Sequence, residues 1–175
     1  MVGLMPQREA RFTVNAPTGE LWRFIRDFES LCTCIPGVER IKVVDDRTAE
    51  LTVKEKVGVV PLILTLRAHI DSEDPPHRLH AVARAEHLTM AIDVTLQATG
   101  SGTELLSLFD VKGEGQLKAI VDRLFERRAT ERTAQFADCL QKRFGAVSAT
   151  KAPAQVRAGW LIRLWRRLVG SFSRP

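Results

Sequence analysis

The sequence predicts an α+β fold in which a strongly curved antiparallel sheet of about seven strands wraps around one long C-terminal helix. The helix is indicated by Gly115 to Phe144, because residues 116–143 contain neither proline nor glycine and Gly145 follows as a stop. Apolar side chains recur there with the helical period of about 3.6. The sheet is indicated by residues 38–112, where apolar or alternating segments are separated by turn residues. The long helix is the element able to cover the apolar face of such a sheet.

The elements before the sheet are expected to be one strand and two short helices. Arg8 to Val14 alternates polar and apolar residues, as a half-buried strand does. A first helix is expected to begin with Thr18 as its N-cap and to bury one apolar face. That face comprises Leu21, Trp22, Ile25 and Phe28. A second helical turn, Ser30 to Cys34, is expected to end at Pro36-Gly37.

Six further strands are expected before the long helix. They are Glu39–Asp45, Thr48–Lys56, Leu62–Ser72, Leu79–Glu86, Met90–Thr99 and Glu104–Lys112. The connections between them are short and rich in Gly, Pro and Asp. Strands that are adjacent in sequence are therefore expected to pair as an antiparallel meander.

The chain is expected to divide into a folded domain and a tethered terminal segment. Its 175 residues suffice for one domain with a sizeable core. We place the domain at residues 1–144, a flexible linker at 145–158 and an amphipathic helix at 159–175. The net charge is +5, but six basic residues and no acid follow Thr150, which leaves −1 for residues 1–150. The basic surplus therefore belongs to the terminal segment.

The terminal segment separates into an apolar and a basic face when its residues are spaced by about 100°. The apolar face comprises Trp160, Leu161, Ile162, Leu164, Trp165, Leu168, Val169 and Phe172, and the basic face Arg163, Arg166 and Arg167. This pattern is typical of a helix lying in the plane of an anionic membrane surface. The alternatives are a groove on a partner protein and packing on the chain's own domain. Nucleic acid is not an expected partner, because the arginines accompany a broad apolar face.

The protein is expected to be cytoplasmic and peripheral on the inner face of the cell membrane. Its three cysteines are too few for a disulfide framework and fit a reducing compartment. The N-terminus lacks the apolar region of a secretion signal, and no segment has the roughly 18–20 apolar residues of a spanning helix. Cys32 and Cys34 are interpreted as small buried residues of a short helix, with metal binding as the weaker alternative.

No catalytic or metal-binding motif is recognisable in the sequence. The four histidines are scattered, and there is no Ser-His-Asp order, phosphate-binding glycine loop or Glu-x-x-His pair. We therefore expect no enzymatic activity, no metal and no covalently bound cofactor. Glu55 shares strand parity with the inward-facing Leu51 and Val53, so it is a candidate for orienting the polar head of a ligand. The alternative is a solvated carboxylate at a strand end.

A cavity between sheet and long helix is expected to be lined by inward-facing apolar side chains. The candidates are Trp22, Ile25, Leu31, Ile35, Leu51, Val53, Leu62, Leu64, Leu66, Met90, Ile92, Val94, Leu117, Ile120, Val121 and Leu124, with Glu55 at the mouth. Ordinary core packing is the alternative role for each of them. The solvated face of the helix is expected to carry Arg123, Arg127, Arg128, Glu131, Arg132 and Lys142. A contact of the four arginines with anionic lipid or a partner is the alternative.

Several short runs resemble one known family. They are Phe12-Thr-Val-Asn-Ala-Pro17, Leu21-Trp22, Asp27, Cys34-Ile-Pro-Gly-Val-Glu39, Val57-Gly58, Asp74-Pro-Pro76 and Asp110 to Gly115. Over residues 8–144 the chain is similar to the carbon monoxide dehydrogenase G-subunit family, which belongs to the START-like (SRPBCC) helix-grip superfamily. The Cys34–Glu39 run is the most specific part. The displaced Pro61 and the lack of tyrosine depart from the family's usual pattern.

This resemblance implies a helix-grip fold around a hydrophobic cavity. It also implies an accessory role beside a molybdenum-containing carbon monoxide dehydrogenase or a related hydroxylase, in assembly or membrane attachment. Together with the cavity and the terminal segment, it leads us to expect a non-catalytic carrier of an apolar small molecule, a quinone or another isoprenoid lipid. The alternatives are an assembly or recruitment factor without a ligand, and a cyclase or hydrolase of the kind found elsewhere in the superfamily.

Overall fold

The computed structural model describes residues 7–145 and 147–149. The strands are β1 (Gln7–Val14), β2 (Val38–Val43), β3 (Thr48–Val57), β4 (Val60–Asp74), β5 (Arg78–Ala85), β6 (Leu88–Thr99), β7 (Gly102–Gly113) and β8 (Val147–Ala149). The helices are α1 (Thr18–Arg26), α2 (Phe28–Cys32) and α3 (Leu117–Phe144). All eight strands form one sheet in the order β2-β3-β4-β5-β6-β7-β1-β8. The α+β fold with a long C-terminal helix is confirmed.

The strands β2 to β7 form the predicted antiparallel meander, because each pairs with its neighbour in sequence. The strand β1 closes the order by pairing with β7 along its full length, from Gln7 opposite Asp110 to Val14 opposite Thr103. The short strand β8 then pairs with β1. The sequence predicts a flexible linker from residue 145, so β8 differs from that expectation. It satisfies backbone groups of β1 that would otherwise form an open sheet edge.

The first helix begins at Thr18, but the predicted N-cap is wrong. The residue at the cap position is Pro17, and no side chain caps the helix. The hydroxyl of Thr18 lies 3.1 Å from that of Thr103, which donates a hydrogen bond of 2.8 Å to the carbonyl oxygen of Ala16. Since Thr103 is completely buried, its hydroxyl requires hydrogen-bond partners inside the protein. The Thr18 hydroxyl is one of these partners and does not cap the helix.

The core consists of two clusters of apolar side chains. The first cluster joins β1, α1 and the middle of the sheet to the C-terminal half of α3, where Leu140 is completely buried. Aromatic pairs reinforce it, with ring centroids 5.6 Å apart for Phe12 and Phe136 and 5.4 Å apart for Phe24 and Phe144. The second cluster lies between α2 and strands β3 to β7, and Val121 of α3 packs against it.

The cysteine prediction is wrong for Cys34, which forms a disulfide bond with Cys139 of α3. Cys34 is buried, as expected, but a disulfide partner lay 105 residues away in sequence. Three cysteines are too few for several disulfide bonds, but they suffice for one. The disulfide also removes the cysteine argument for a reducing compartment. Cys32 is the free cysteine and is buried.

This disulfide predicts a specific alkylation pattern. Protein unfolded in denaturant without reductant should accept one alkyl group from iodoacetamide, at Cys32, and after reduction it should accept three. The Cys139→Ser variant should lose about 2–4 kcal/mol in free energy of unfolding, because the long loop is no longer closed. Mass spectrometry and urea titration measure both quantities. Three alkylated cysteines before reduction, or equal stability of wild type and variant without reductant, would contradict the disulfide.

Candidate ligand-binding site

The two halves of α3 pack differently on the sheet. The C-terminal half contributes Phe136, Ala137, Leu140 and Phe144 to the first cluster. In the N-terminal half, residues 117–128, none of the apolar side chains that the structure describes is completely buried. The sheet is apolar beneath this half as well. This part of the helix therefore covers an apolar surface without the tight packing of its other half.

We call this apolar surface the trough. It comprises half-buried side chains from β3, β4, β6 and α3, namely Val53, Leu64, Met90 and Val121, above the buried Leu51 and Leu66. At its end, Gly113 permits close approach of the helix, since a Cβ on this residue would lie 3.0 Å from the Cα of Lys118. Half-buried aliphatic side chains that converge under a helix are the lining expected of a site for an apolar ligand.

Glu55 lies at the rim of the trough and binds two arginines of α3. Its carboxylate accepts a hydrogen bond from Nη2 of Arg132 and lies 3.4 Å from Nη1 of Arg128. The side chain of Glu55 is 21% exposed, and that of Arg132 is 27% exposed. Two cations share one anion, so this cluster, the Glu55 cluster, has a formal charge of +1. It could bind the anionic or carbonyl head of a ligand whose apolar part occupies the trough.

The turn at residues 34–37 joins the same components. Gly37 has a φ of +87°, and a Cβ on it would lie 3.1 Å from the carbonyl oxygen of Lys54 and 3.2 Å from Oε1 of Glu55. The backbone N–H of Lys54 donates to the Gly37 carbonyl at 2.8 Å. Three residues earlier, Cys34 is bonded to Cys139 of α3. One turn therefore contacts β3 through Gly37 and α3 through the disulfide, which explains glycine at this position.

The predicted wall residues are distributed over both clusters. Trp22, Ile25 and Val94 belong to the first cluster, against which Leu31 and Ile92 pack. Leu51 and Leu66 belong to the second cluster, against which Ile35, Val53, Leu64, Met90 and Val121 pack. Leu62, Leu117, Ile120 and Leu124 are half-buried. All of them except Leu62 and the three helix residues are thus part of the described core, and their role in binding a ligand stays a prediction.

The prediction for two helix arginines is wrong. Arg123, Arg127, Glu131 and Lys142 are exposed as expected, but Arg128 and Arg132 are half-buried and pair with Glu55. The inward position of both arginines is indicated by their spacing, because positions 121, 128, 132 and 139 are separated by 7, 4 and 7 residues. That spacing places both arginines on the face of Val121 and Cys139. Their charge had suggested the opposite face.

The free thiol of Cys32 is not arranged for chemistry. Burial, together with the nearby charge of Asp27, raises the pKa of this thiol to about 11. The thiol form therefore dominates at neutral pH, and the nucleophilic thiolate is rare. Cys32 acts as a small apolar residue of the second cluster, as the sequence predicts.

Two surface depressions lie away from the trough. One, of about 290 Å³, is lined by polar residues of β4, β5 and β6, by Leu79 and by the predicted wall residue Val94. The other, of about 380 Å³, lies beside Asp27 and the β2–β3 turn. Within residues 7–145, no three His, Cys, Asp or Glu side chains are placed to hold a metal ion. His80 and Asp93, 2.7 Å apart, form a pair on the sheet surface instead.

None of the helices in the described part of the chain is long and apolar enough to cross a bilayer. The predicted terminal helix at 159–175, with all its membrane-binding residues, lies outside the described residues, as does the linker from residue 150. The prediction of membrane attachment through that helix is therefore neither confirmed nor contradicted.

The architecture is shared with several solved structures. A START superfamily protein from Mycobacterium smegmatis is 15% identical, with a TM-score of 0.61 over 80% of this chain and 96% of that one. A conserved protein from Geobacillus kaustophilus is 15% identical, with a TM-score of 0.63 over 78% and 95%. The ZhuI aromatase/cyclase from Streptomyces sp. R1128 is 14% identical, with a TM-score of 0.57 over 79% and 96%. A comparison with curated proteins gave no match.

A sheet packed against a long C-terminal helix, in an arrangement shared with these solved structures, is the START-like helix-grip fold. Within that class, the family model for the carbon monoxide dehydrogenase G-subunit (CoxG) matches residues 11–145. The chain belongs to the CoxG family, which confirms the resemblance seen in its sequence.

The Glu55 cluster should couple β3 to α3 energetically. In a double-mutant cycle, Glu55→Gln and Arg132→Gln should show a coupling free energy of about 0.5–1 kcal/mol, because both groups are only partly exposed. Urea titration of the four proteins measures it. The control pair, Glu55→Gln with Arg127→Gln, should be additive, since Arg127 is exposed. Additive effects of the Glu55 and Arg132 changes would show that the ion pair does not hold the helix.

Proposed function

We propose that this protein is a non-catalytic accessory protein of a molybdenum-containing carbon monoxide dehydrogenase or a related hydroxylase, and that it carries an apolar ligand in the trough. The ligand class is a quinone or another isoprenoid lipid. The observation that carries the proposal is the half-buried apolar surface beneath residues 117–128, with the Glu55 cluster at its rim. The CoxG family is described as a subunit of carbon monoxide dehydrogenase, which supports the partner.

The chemistry of the trough fits such a ligand. Its aliphatic side chains favour an apolar chain, and burial on this surface yields roughly 25 cal/mol per Å² of apolar area removed from water. A quinone carbonyl is a hydrogen-bond acceptor, and Arg128 and Arg132 are donors at the rim. The apolar part of the ligand would lie under α3, and its polar head would replace part of the interaction of the arginines with Glu55.

The membrane is the proposed source of the ligand. The terminal segment from Trp160 to Phe172 has the pattern of an interfacial helix, and its arginines favour an anionic surface. A domain attached there would exchange an isoprenoid lipid with the inner face of the cell membrane and present it to the hydroxylase. Neither a metal nor a covalently bound cofactor has a part in this proposal.

The main alternative is a recruitment or assembly factor whose trough is only a loosely packed core. A cyclase or hydrolase activity is less well supported, although one solved structure of this fold is an aromatase/cyclase. Such chemistry needs acid–base groups that converge on a substrate. Among the described residues at the trough, Glu55 is the acidic candidate, and it is bound to two arginines.

Filling the trough should prevent ligand binding. The Val121→Trp variant should weaken binding of decylubiquinone at least about tenfold, because the indole would occupy apolar volume beneath the helix. Equilibrium dialysis measures the dissociation constant. The matched control is Ala119→Trp, since Ala119 is exposed on the same half of α3. This control should bind within about twofold of wild type. Equal binding by wild type and Val121→Trp would rule out the trough as the site.

The same pair of variants separates the carrier from the recruitment factor. We expect the full-length Val121→Trp protein to retain the hydroxylase in a pull-down yet fail to support electron transfer from it to a membrane quinone pool. A variant that supports full transfer while binding no decylubiquinone would favour recruitment without a ligand.

A further inference from the structure

The tip of the β3–β4 hairpin exposes aliphatic side chains to an unusual degree. Val59 is 99% exposed, Val60 is 61% exposed and Ile63 is 59% exposed. The turn is tight, because Val57 pairs with Val60 across Gly58 and Val59, and Gly58 has a φ of +64°. Residues 58–63 form this surface, which we call the hairpin tip. An apolar protrusion of this kind marks a contact with an apolar environment.

Cationic side chains stand immediately behind the hairpin tip. Lys56 is opposite Pro61 and Lys54 is opposite Ile63 in the strand pairing, and both lysines are exposed. Lys54 is partly neutralised, because its Nζ lies 3.4 Å from Oε1 of Glu39 on β2, so Lys56 is the main source of positive charge here. Between Lys54 and Arg67 the one acidic residue is Glu55, whose carboxylate is bound to two arginines of α3. The hairpin tip therefore combines apolar side chains at its end with the positive charge of Lys56, one residue pair behind Val57 and Val60.

We propose that the hairpin tip inserts into the headgroup region of an anionic lipid bilayer. Valine and isoleucine would enter the boundary of the acyl chains, and Lys54 and Lys56 would lie at the level of the anionic headgroups, where long basic side chains are favoured. The charge complementarity between the lysines and anionic lipid identifies the bilayer as the partner. This contact is separate from the terminal segment, because it uses residues of the sheet.

A protein partner fits the hairpin tip less well. Protein interfaces are centred on aromatic and arginine side chains packed into pockets. The hairpin tip has neither type, and it projects as a two-residue turn. Insertion into a fluid apolar layer needs no complementary pocket.

The position of the hairpin tip relates it to the trough. Glu55, at the rim of the trough, lies two residues before Val57 on the same strand. A hairpin tip in the bilayer would hold that rim at the membrane surface, where an apolar ligand enters or leaves. This consequence rests on the proposed carrier function, whereas the membrane contact itself does not.

The test compares two valine pairs at opposite ends of β3 in the full-length protein. Val43 and Val44, beside the β2–β3 turn, are each 43% exposed, so Val43→Asp/Val44→Asp is the matched control for Val59→Asp/Val60→Asp. Partition into phosphatidylcholine vesicles with about 30% phosphatidylglycerol should fall at least about tenfold for the hairpin-tip variant and stay within about twofold for the control. Lys56→Gln should lower partition by about fivefold, and only with the anionic vesicles. Lys54→Gln should lower it by less, because Lys54 is paired with Glu39.

Thermal unfolding and decylubiquinone dialysis without vesicles complete the experiment. Both should be unchanged in the hairpin-tip variant, since its substitutions are on exposed side chains away from the trough. Wild-type partition by the folded hairpin-tip variant would overturn the proposal. An equal loss in the control pair would overturn it too, since a general charge effect would then explain the result. Loss of hydroxylase pull-down with unchanged partition would assign the hairpin tip to a protein partner instead. None of these outcomes alters the dialysis result that tests the trough.

Discussion

The position of α3 depends on the turn at residues 34–37. This turn is bonded to α3 through the Cys34–Cys139 disulfide and contacts β3 through Gly37, while Glu55 of β3 binds Arg128 and Arg132 of α3. The turn and β3 are thus fixed to α3, which is distant from both in sequence, at a single place. Along the rest of its length, α3 packs tightly only in its C-terminal half. Its C-terminal half does so through Leu140 and the aromatic pairs, and residues 117–128 lie above the half-buried side chains of the trough.

This unequal packing is what connects the fold to the proposed function. A helix buried along its whole length would enclose an ordinary core, since protein interiors pack to high density. Here the N-terminal half of α3 contributes half-buried side chains to the trough. The Glu55 cluster lies at the rim of the trough, and the exposed hairpin tip lies just beyond that rim. The trough, the Glu55 cluster and the exposed hairpin tip therefore follow one another along β3. That order suits a protein that accepts an amphipathic molecule from a membrane and holds it away from water.

Much of the fold follows from local patterns in the sequence. Turn residues and short connections determine the meander, and the uninterrupted segment from Gly115 to Phe144 determines α3. The strand parity of Glu55 correctly places it inward. Contacts between residues distant in sequence are harder to predict. The number of cysteines does not show that Cys34 pairs with Cys139. The charge of Arg128 and Arg132 favours an exposed position, although both pack inward against Glu55. Their spacing along the helix carried that information. The three residues of β8 pair with the edge strand β1, and this pairing depends on tertiary structure that local sequence patterns do not show.

The central claim is that the trough holds one apolar molecule, and native mass spectrometry of the full-length protein purified from the organism that encodes it tests this most directly. We expect a fraction of the protein to have a single non-covalent adduct, released by organic solvent and identified as a quinone or another isoprenoid lipid. Protein that is repeatedly free of any adduct, when purified without detergent from cells that contain the hydroxylase, would contradict it. In that case the trough would be a loosely packed core.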